Sequence, residues 1–214
     1  AEAKVALAAM MARFRGQAET LLAALCPAYT GAFRRGPVSF RPSMVETRKQ
    51  SWRADDRRLH VDAFPSRPNR GERLLRVFAN VHPAGVNRVW RVGEPFEQLA
   101  RRFLPRLPAY SPIKARALNA VGVTKSLRSE YDHLMLALHD AMKLDAAYQR
   151  EAPQESVPFA AGSSWVCFSD QISHAAMSGQ YLLELTVQLP PDRQFDASTS
   201  PLAILTRLIG RPLV

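Results

Sequence analysis

The chain has 214 residues, 47 % of them apolar and 22 % charged, enough for one large domain with a substantial core. No apolar run of about 18 residues occurs, which argues against a bilayer-spanning helix, and two cysteines, Cys26 and Cys167, with no CxxC or Cys/His pattern exclude a disulfide framework and structural zinc and point to a reducing cytoplasm. The formal net charge is +10; between Gly31 and Arg116, 17 Arg and 2 Lys stand against seven acids, a balance of +12, so an anionic partner is implied, whether nucleic acid, acidic lipid, acidic sugar or phosphate.

The chain begins on Ala rather than Met, which leaves room for upstream residues. Residues 2–25 predict an amphipathic helix rather than a signal peptide: Val5, Leu7, Ala8, Met11, Phe14, Leu21, Leu22 and Leu25 recur at helical spacing, and Pro27 ends the element. Residues 27–58 read as a basic loop with an extended VSF piece and a strand over Val45 to Arg53. LHVDAF, residues 59–64, alternates as a strand does and stops at Pro65; SRPNRGE is a turn; RLLRVFANV is a second strand. Residues 92–104 predict a helix with Pro95 in its first turn, and residues 105–127 a loop carrying short helices. Ser129 to Arg150 is the clearest helix, capped by Ser129, with Leu134, Leu138 and Met142 in a stripe. VPF, a Gly-Ser-Ser turn and the strand SWVCFS follow, then a loop DQISHAAMSG and a last strand QYLLELTVQL stopped by Pro190 and Pro191. The tail 201–214 is amphipathic and either lies on a membrane surface, with Arg207 and Arg211 near anionic headgroups, or packs on the fold. Strands and helices do not alternate, so a doubly wound sheet is not expected. The expected fold is β-rich α+β: one domain over 1–214, with a double-stranded β-helix (jelly roll) core at about 38–190 and flanking helices.

His60 and Asp62 share one face of an alternating segment, because strand side chains repeat with period 2. With His174 they make two imidazoles and one carboxylate, the facial set that binds non-haem iron(II) and leaves positions open. Asp170 is a rival ligand, or a turn residue or partner for an imidazole. His133 and His139 lie six apart on the helix, read as helix surface or core edge; His82 is a turn residue and Cys167 a small core residue. A chelating 2-oxo acid needs a cation for its far carboxylate. Arg76, inside Leu-Leu-Arg-Val-Phe, needs an anionic partner and is the first candidate, Arg73 the second; the alternative for Arg76 is a salt bridge to Glu72 or Glu184. Phosphate-binding glycine loops and a GxSxG elbow are absent, and no nucleic-acid-binding signature stands out.

Residues 59–83, LHVDAFPSRPNRGERLLRVFANVHP, resemble the Kdo (3-deoxy-D-manno-oct-2-ulosonic acid) hydroxylase family, as do 163–186, SSWVCFSDQISHAAMSGQYLLELT, and the helix 129–149. The resemblance implies a double-stranded β-helix that uses iron(II), 2-oxoglutarate and dioxygen to hydroxylate C3 of Kdo on a lipid A precursor, giving the Ko sugar of lipopolysaccharide. It implies metal ligands His60, Asp62 and His174. It also suits the charge, since a Kdo-lipid is polyanionic: Arg67 and Arg70, with Arg73, are candidates to lead the acidic sugar toward iron, against the reading of a solvated basic turn. A cytoplasmic enzyme, peripheral on the anionic inner membrane surface, follows from the resemblance. Many related oxygenases carry the 2-oxoglutarate cation on the strand after the distal His; QYLLELTVQL has none, and the next Arg is Arg193. The competing readings are an oxygenase for another acidic substrate, a cupin-like metal-binding module without activity, and a basic nucleic-acid-binding protein.

Overall fold

A computed structural model describes residues 2–214. The elements run α1 (Glu2–Leu25), β1 (Arg34–Arg41), β2 (Arg73–Asn80), β3 (Arg88–Gly93), α2 (Phe96–Phe103), α3 (Pro112–Ala120), α4 (Glu130–Leu144), α5 (Ala146–Glu151), β4 (Gln154–Phe159), β5 (Ser164–Phe168), β6 (His174–Ser178), β7 (Leu182–Leu189) and α6 (Pro201–Ile209). All strand pairs are antiparallel, in a four-stranded sheet ordered β1-β7-β2-β5 and a three-stranded sheet ordered β4-β3-β6. The expected β-rich balance is corrected to a mixed fold, because helical residues outnumber strand residues. No helix among the described residues is long and apolar enough to cross a membrane.

Alternation decides the faces of the larger sheet. Leu75 and Val77 of β2 and Leu183, Leu185 and Val187 of β7 lie on the outer face, where Phe14, Ala18 and Leu22 of α1 cover them. Phe78 of β2 and Leu182 of β7 lie on the inner face and meet Trp90 and Ala176 of the smaller sheet. A third apolar cluster joins α2, α4 and α6 to Leu59 and Val61.

Several expectations shift. Val45 to Arg53 forms turns rather than a strand. LHVDAF is not a ladder strand: only His60 pairs, in an isolated antiparallel bridge to His174. HAAMS, expected in a loop, is β6, and RVWRVG, of which RVWR carried no assignment and Val92 and Gly93 were expected to open a helix, is β3. Pro95 caps α2 from outside instead of sitting in its first turn. The helix expected over 129–150 breaks at Asp145, which ends α4 and caps α5 by accepting from the Tyr148 amide at 2.9 Å. Ser129 does cap α4: its Oγ accepts from the Asp132 amide, and the Asp132 carboxylate accepts from the Ser129 amide at 2.9 Å. The tail is α6, whose Ile204 and Leu205 are buried in the third cluster. Arg207 is paired with Glu97 and Arg211 with Glu130, so neither the apolar face nor those two cations stand free for headgroups.

Candidate metal centre

The bridge between His60 and His174 exchanges both backbone hydrogen bonds, at 3.0 and 2.9 Å, and so sets the two imidazoles side by side. The Asp62 amide donates to Ser169 O at 2.8 Å, which holds the next two residues in line. Ligand atoms of His60, Asp62 and His174 consequently lie within 4.8 Å of one another, and all three side chains are buried. His60 Nδ1 lies 2.7 Å from Arg58 O and His174 Nδ1 lies 2.9 Å from Ile172 O. A carbonyl only accepts, so each Nδ1 carries the proton and each Nε2 keeps its lone pair for a metal.

The electrostatics agree with that use. Burial, then the neighbouring His60, pushes His174 down to about 4, which keeps it neutral as a ligand must be. Burial opposes ionisation of Asp62, but Arg76, the His60 side chain and His174 together hold its carboxyl well below the usual range. Arg76 Nη1 donates to Asp62 Oδ2 at 2.5 Å, while Asp62 Oδ1 lies 3.6 Å from His60 Nε2. One carboxylate oxygen is thus anchored and the other faces the imidazoles. Two imidazoles and an ionised carboxylate fit a divalent first-row metal such as iron(II).

The three residues line a cavity of about 440 Å³, within the range of small-molecule sites. Phe64, Phe78 and Trp90 supply apolar wall; Arg41, Arg53, Arg88 and Lys143 supply charge. Trp90 stacks on His174, ring centroids 5.0 Å apart. Trp165 lies behind the wall, against Phe78, Trp90 and Phe159.

The other predicted residues fall as follows. Arg76 lines the cavity, but its two terminal nitrogens are engaged by Asp62 and Glu184, the second of the salt bridges the sequence suggested. Arg73 is a correction: three residues from Arg76, it projects to the other face of β2, lies over the Phe168 ring and pairs with Asp170 and Gln171. Asp170 is therefore Arg73's partner and stands outside the metal cluster. Arg67 and Arg70 lie exposed on the turn after Pro65, outside the cavity lining. His139, read as helix surface or core edge, lines the cavity, its ring centroid 5.4 Å from that of His60 and its Nδ1 2.9 Å from Asp140. Sequence reasoning missed Arg88 and Trp90, for which the alternating RVWRV was the available signal.

A profile of the 3-deoxy-D-manno-oct-2-ulosonic acid (Kdo) hydroxylase family matches residues 1–212. Crystal structures of the Kdo hydroxylase KdoO, a non-heme Fe(II) alpha-ketoglutarate dependent dioxygenase, match at 43 % identity over 100 % of this chain. The complex with alpha-ketoglutarate and Fe(III) gives a TM-score of 0.97 over 73 % of that chain. The complex with succinate and Fe(III) gives 0.96 over 72 %, and the apo form 0.97 over 72 %. No curated protein sequence matches. With a family profile spanning nearly the whole chain and a two-histidine, one-carboxylate cluster at its centre, the chain belongs to the Kdo hydroxylase family.

Proposed function

We propose that this chain is an iron(II)- and 2-oxoglutarate-dependent dioxygenase that hydroxylates C3 of Kdo in a lipid A precursor to give Ko. The observation that carries it is the buried His60, Asp62, His174 cluster on the wall of a cation-rich cavity. Iron(II) with 2-oxoglutarate, when bound, supplies dioxygen activation, one oxygen atom entering a substrate C–H bond and the other the succinate formed with loss of carbon dioxide. His60 and His174 would hold the metal through Nε2, and Asp62 through the oxygen that Arg76 leaves free. Arg76 keeps Asp62 ionised and oriented. Phe64, Phe78 and Trp90 limit water around the reacting groups. A sugar carboxylate would meet Arg41 and Arg53 on the cavity wall in competition with their partners Glu184, Asp56 and Asp140, and Arg67 and Arg70 would act earlier, as an exposed approach.

We read the two sheets as one double-stranded β-helix domain over the whole chain. The sheet orders, with His60 bridging to the free edge of β6, support that reading. A cytoplasmic enzyme in peripheral contact with anionic lipid is supported by the net charge of +10 and a lipid-linked acidic substrate. Surface charge, rather than α6, would make that contact.

The test is anaerobic iron(II) titration followed by 2-oxoglutarate, watching the visible charge-transfer band of the chelate. The wild type is expected to develop the band and Asp62→Ala to lose it. Iron binding without a band would favour a cupin-like binding module. No iron binding would leave the basic segment to be explained by an anionic partner alone.

A further inference from the structure

A second cavity, of about 340 Å³, adjoins the metal cavity and takes no residue from either sheet. Two helix faces form it. Ser111, the cap of α3, lies in line with Lys114 and Leu118, and His133 of α4 lies in line with Leu136 and Asp140. Both sets follow the same i, i+3, i+7 spacing. Arg53, Leu136 and Asp140 line the metal cavity as well, so one extended ligand can occupy both spaces. From His139, beside His60, to His133 the groove follows α4 for about 9 Å at the usual rise per residue.

The charge of this groove is unbalanced. Arg53, Lys114 and Arg128 face a single carboxylate, Asp140, which Arg53 and His139 already engage. Among the described residues, neither Lys114 nor Arg128 has a carboxylate within the 4.0 Å of an ion pair. Arg128 Nη2 donates to Pro65 O at 2.6 Å, and Pro65 lines the metal cavity, so this guanidinium stands on the rim between the two spaces. Arg53 is held at the junction by Asp140, at 3.0 Å, and by the Trp52 ring, 4.1 Å below its guanidinium. Beneath the cations the floor is apolar, from Leu118, Leu136 and the Tyr110 ring, whose hydroxyl is taken up by Arg128 O at 2.8 Å. The C–H face of a sugar fits such a floor, and an anionic substituent on that sugar would meet the cations of the rim.

We propose that the groove between α3 and α4 is a second ligand site, which takes the anion-bearing sugar unit joined to the one oxidised at the metal. Lys114 and Arg128 contact its phosphate or carboxylate. The assignment rests on the function proposed above and adds a site to it.

The experiment is calorimetric titration of the iron(II)-loaded protein, without oxygen, with three soluble probes. These are the deacylated lipid A precursor carrying two Kdo units, the same glycan without its phosphates, and the glycan with a single Kdo. Wild type should bind the complete glycan about tenfold more tightly than one of the trimmed forms, the scale of two half-exposed charge contacts. A loss with the dephosphorylated form assigns the groove to a phosphate, and a loss with the single-Kdo form assigns it to a carboxylate. Lys114→Met combined with Arg128→Met should bind the complete glycan about tenfold more weakly and no longer distinguish it from that trimmed form. The paired Gln substitutions repeat the test if the Met variant does not fold. Arg13→Met with Arg15→Met removes the same charge from exposed positions of α1 and should keep the discrimination. A folded Lys114/Arg128 variant that still discriminates overturns the assignment. So does a wild type indifferent to both trimmings, and so does equal loss in the α1 variant, which would mark the general field of the protein. A wild type that discriminates as expected but consumes no 2-oxoglutarate when given oxygen and the complete glycan overturns the oxygenase reading and leaves the groove a glycan site.

Discussion

Arg76 stands between two buried carboxylates, Asp62 and Glu184, and its removal would leave Asp62 without a cation while Glu184 keeps Arg41. Breaking a buried pair by deleting one partner costs about 3–5 kcal/mol. Arg76→Met is therefore expected to lower the unfolding free energy of the metal-free protein by about that much in urea, and to weaken iron binding because Asp62 loses its orienting bond. A change under about 1 kcal/mol would show that the pairing does not hold in solution. That Arg76 needs an anion was legible from its place in an apolar strand. The choice between Glu72 and Glu184 was not, because Glu184 reaches it only through the register that sets Phe78 opposite Glu184 across β2 and β7.

Two short segments carry the candidate ligands, and the sequence misjudged the form of each. LHVDAF has a strand's alternation, yet one neighbour on one side gives it a single bridge. HAAMS has small residues that suggest a loop, yet it fits beside β3 because Ala175 and Ala176 leave room. The alternation still placed His60 and Asp62 together, since side-chain period survives where ladder hydrogen bonds do not. The tail was ambiguous for a different reason. An amphipathic stripe is the same whether protein or lipid covers it, and only the position of α2 and α4 decides. Leu205 is fully buried there. Leu205→Ala should reduce stability by about 2–5 kcal/mol in chemical denaturation. A loss below about 1 kcal/mol would mean that α6 is not docked as described.

Across the whole molecule, the basic excess read from composition is partly internal. Arg41, Arg73 and Arg76 are engaged with carboxylates inside the fold, so the field outside is smaller than a count of arginines suggests. Composition gave the sign of the partner but not the division between surface and interior, which only packing settles. Packing also brings Asp62 to His174 although about 110 residues separate them in the chain. An ion held by both would act as a removable cross-link, closing a loop that contains β2, β3, β4 and β5. The unfolded chain cannot offer the same three atoms together, so iron should bind the native state alone and draw the folding equilibrium toward it by mass action. At iron(II) about 100-fold above its dissociation constant, the gain is about 2.7 kcal/mol, seen as a higher melting temperature under anaerobic conditions. Asp62→Ala should show no such rise, and an equal rise in that variant would place the stabilising ion elsewhere. Iron supply would then set how long this protein lasts as well as how fast it works.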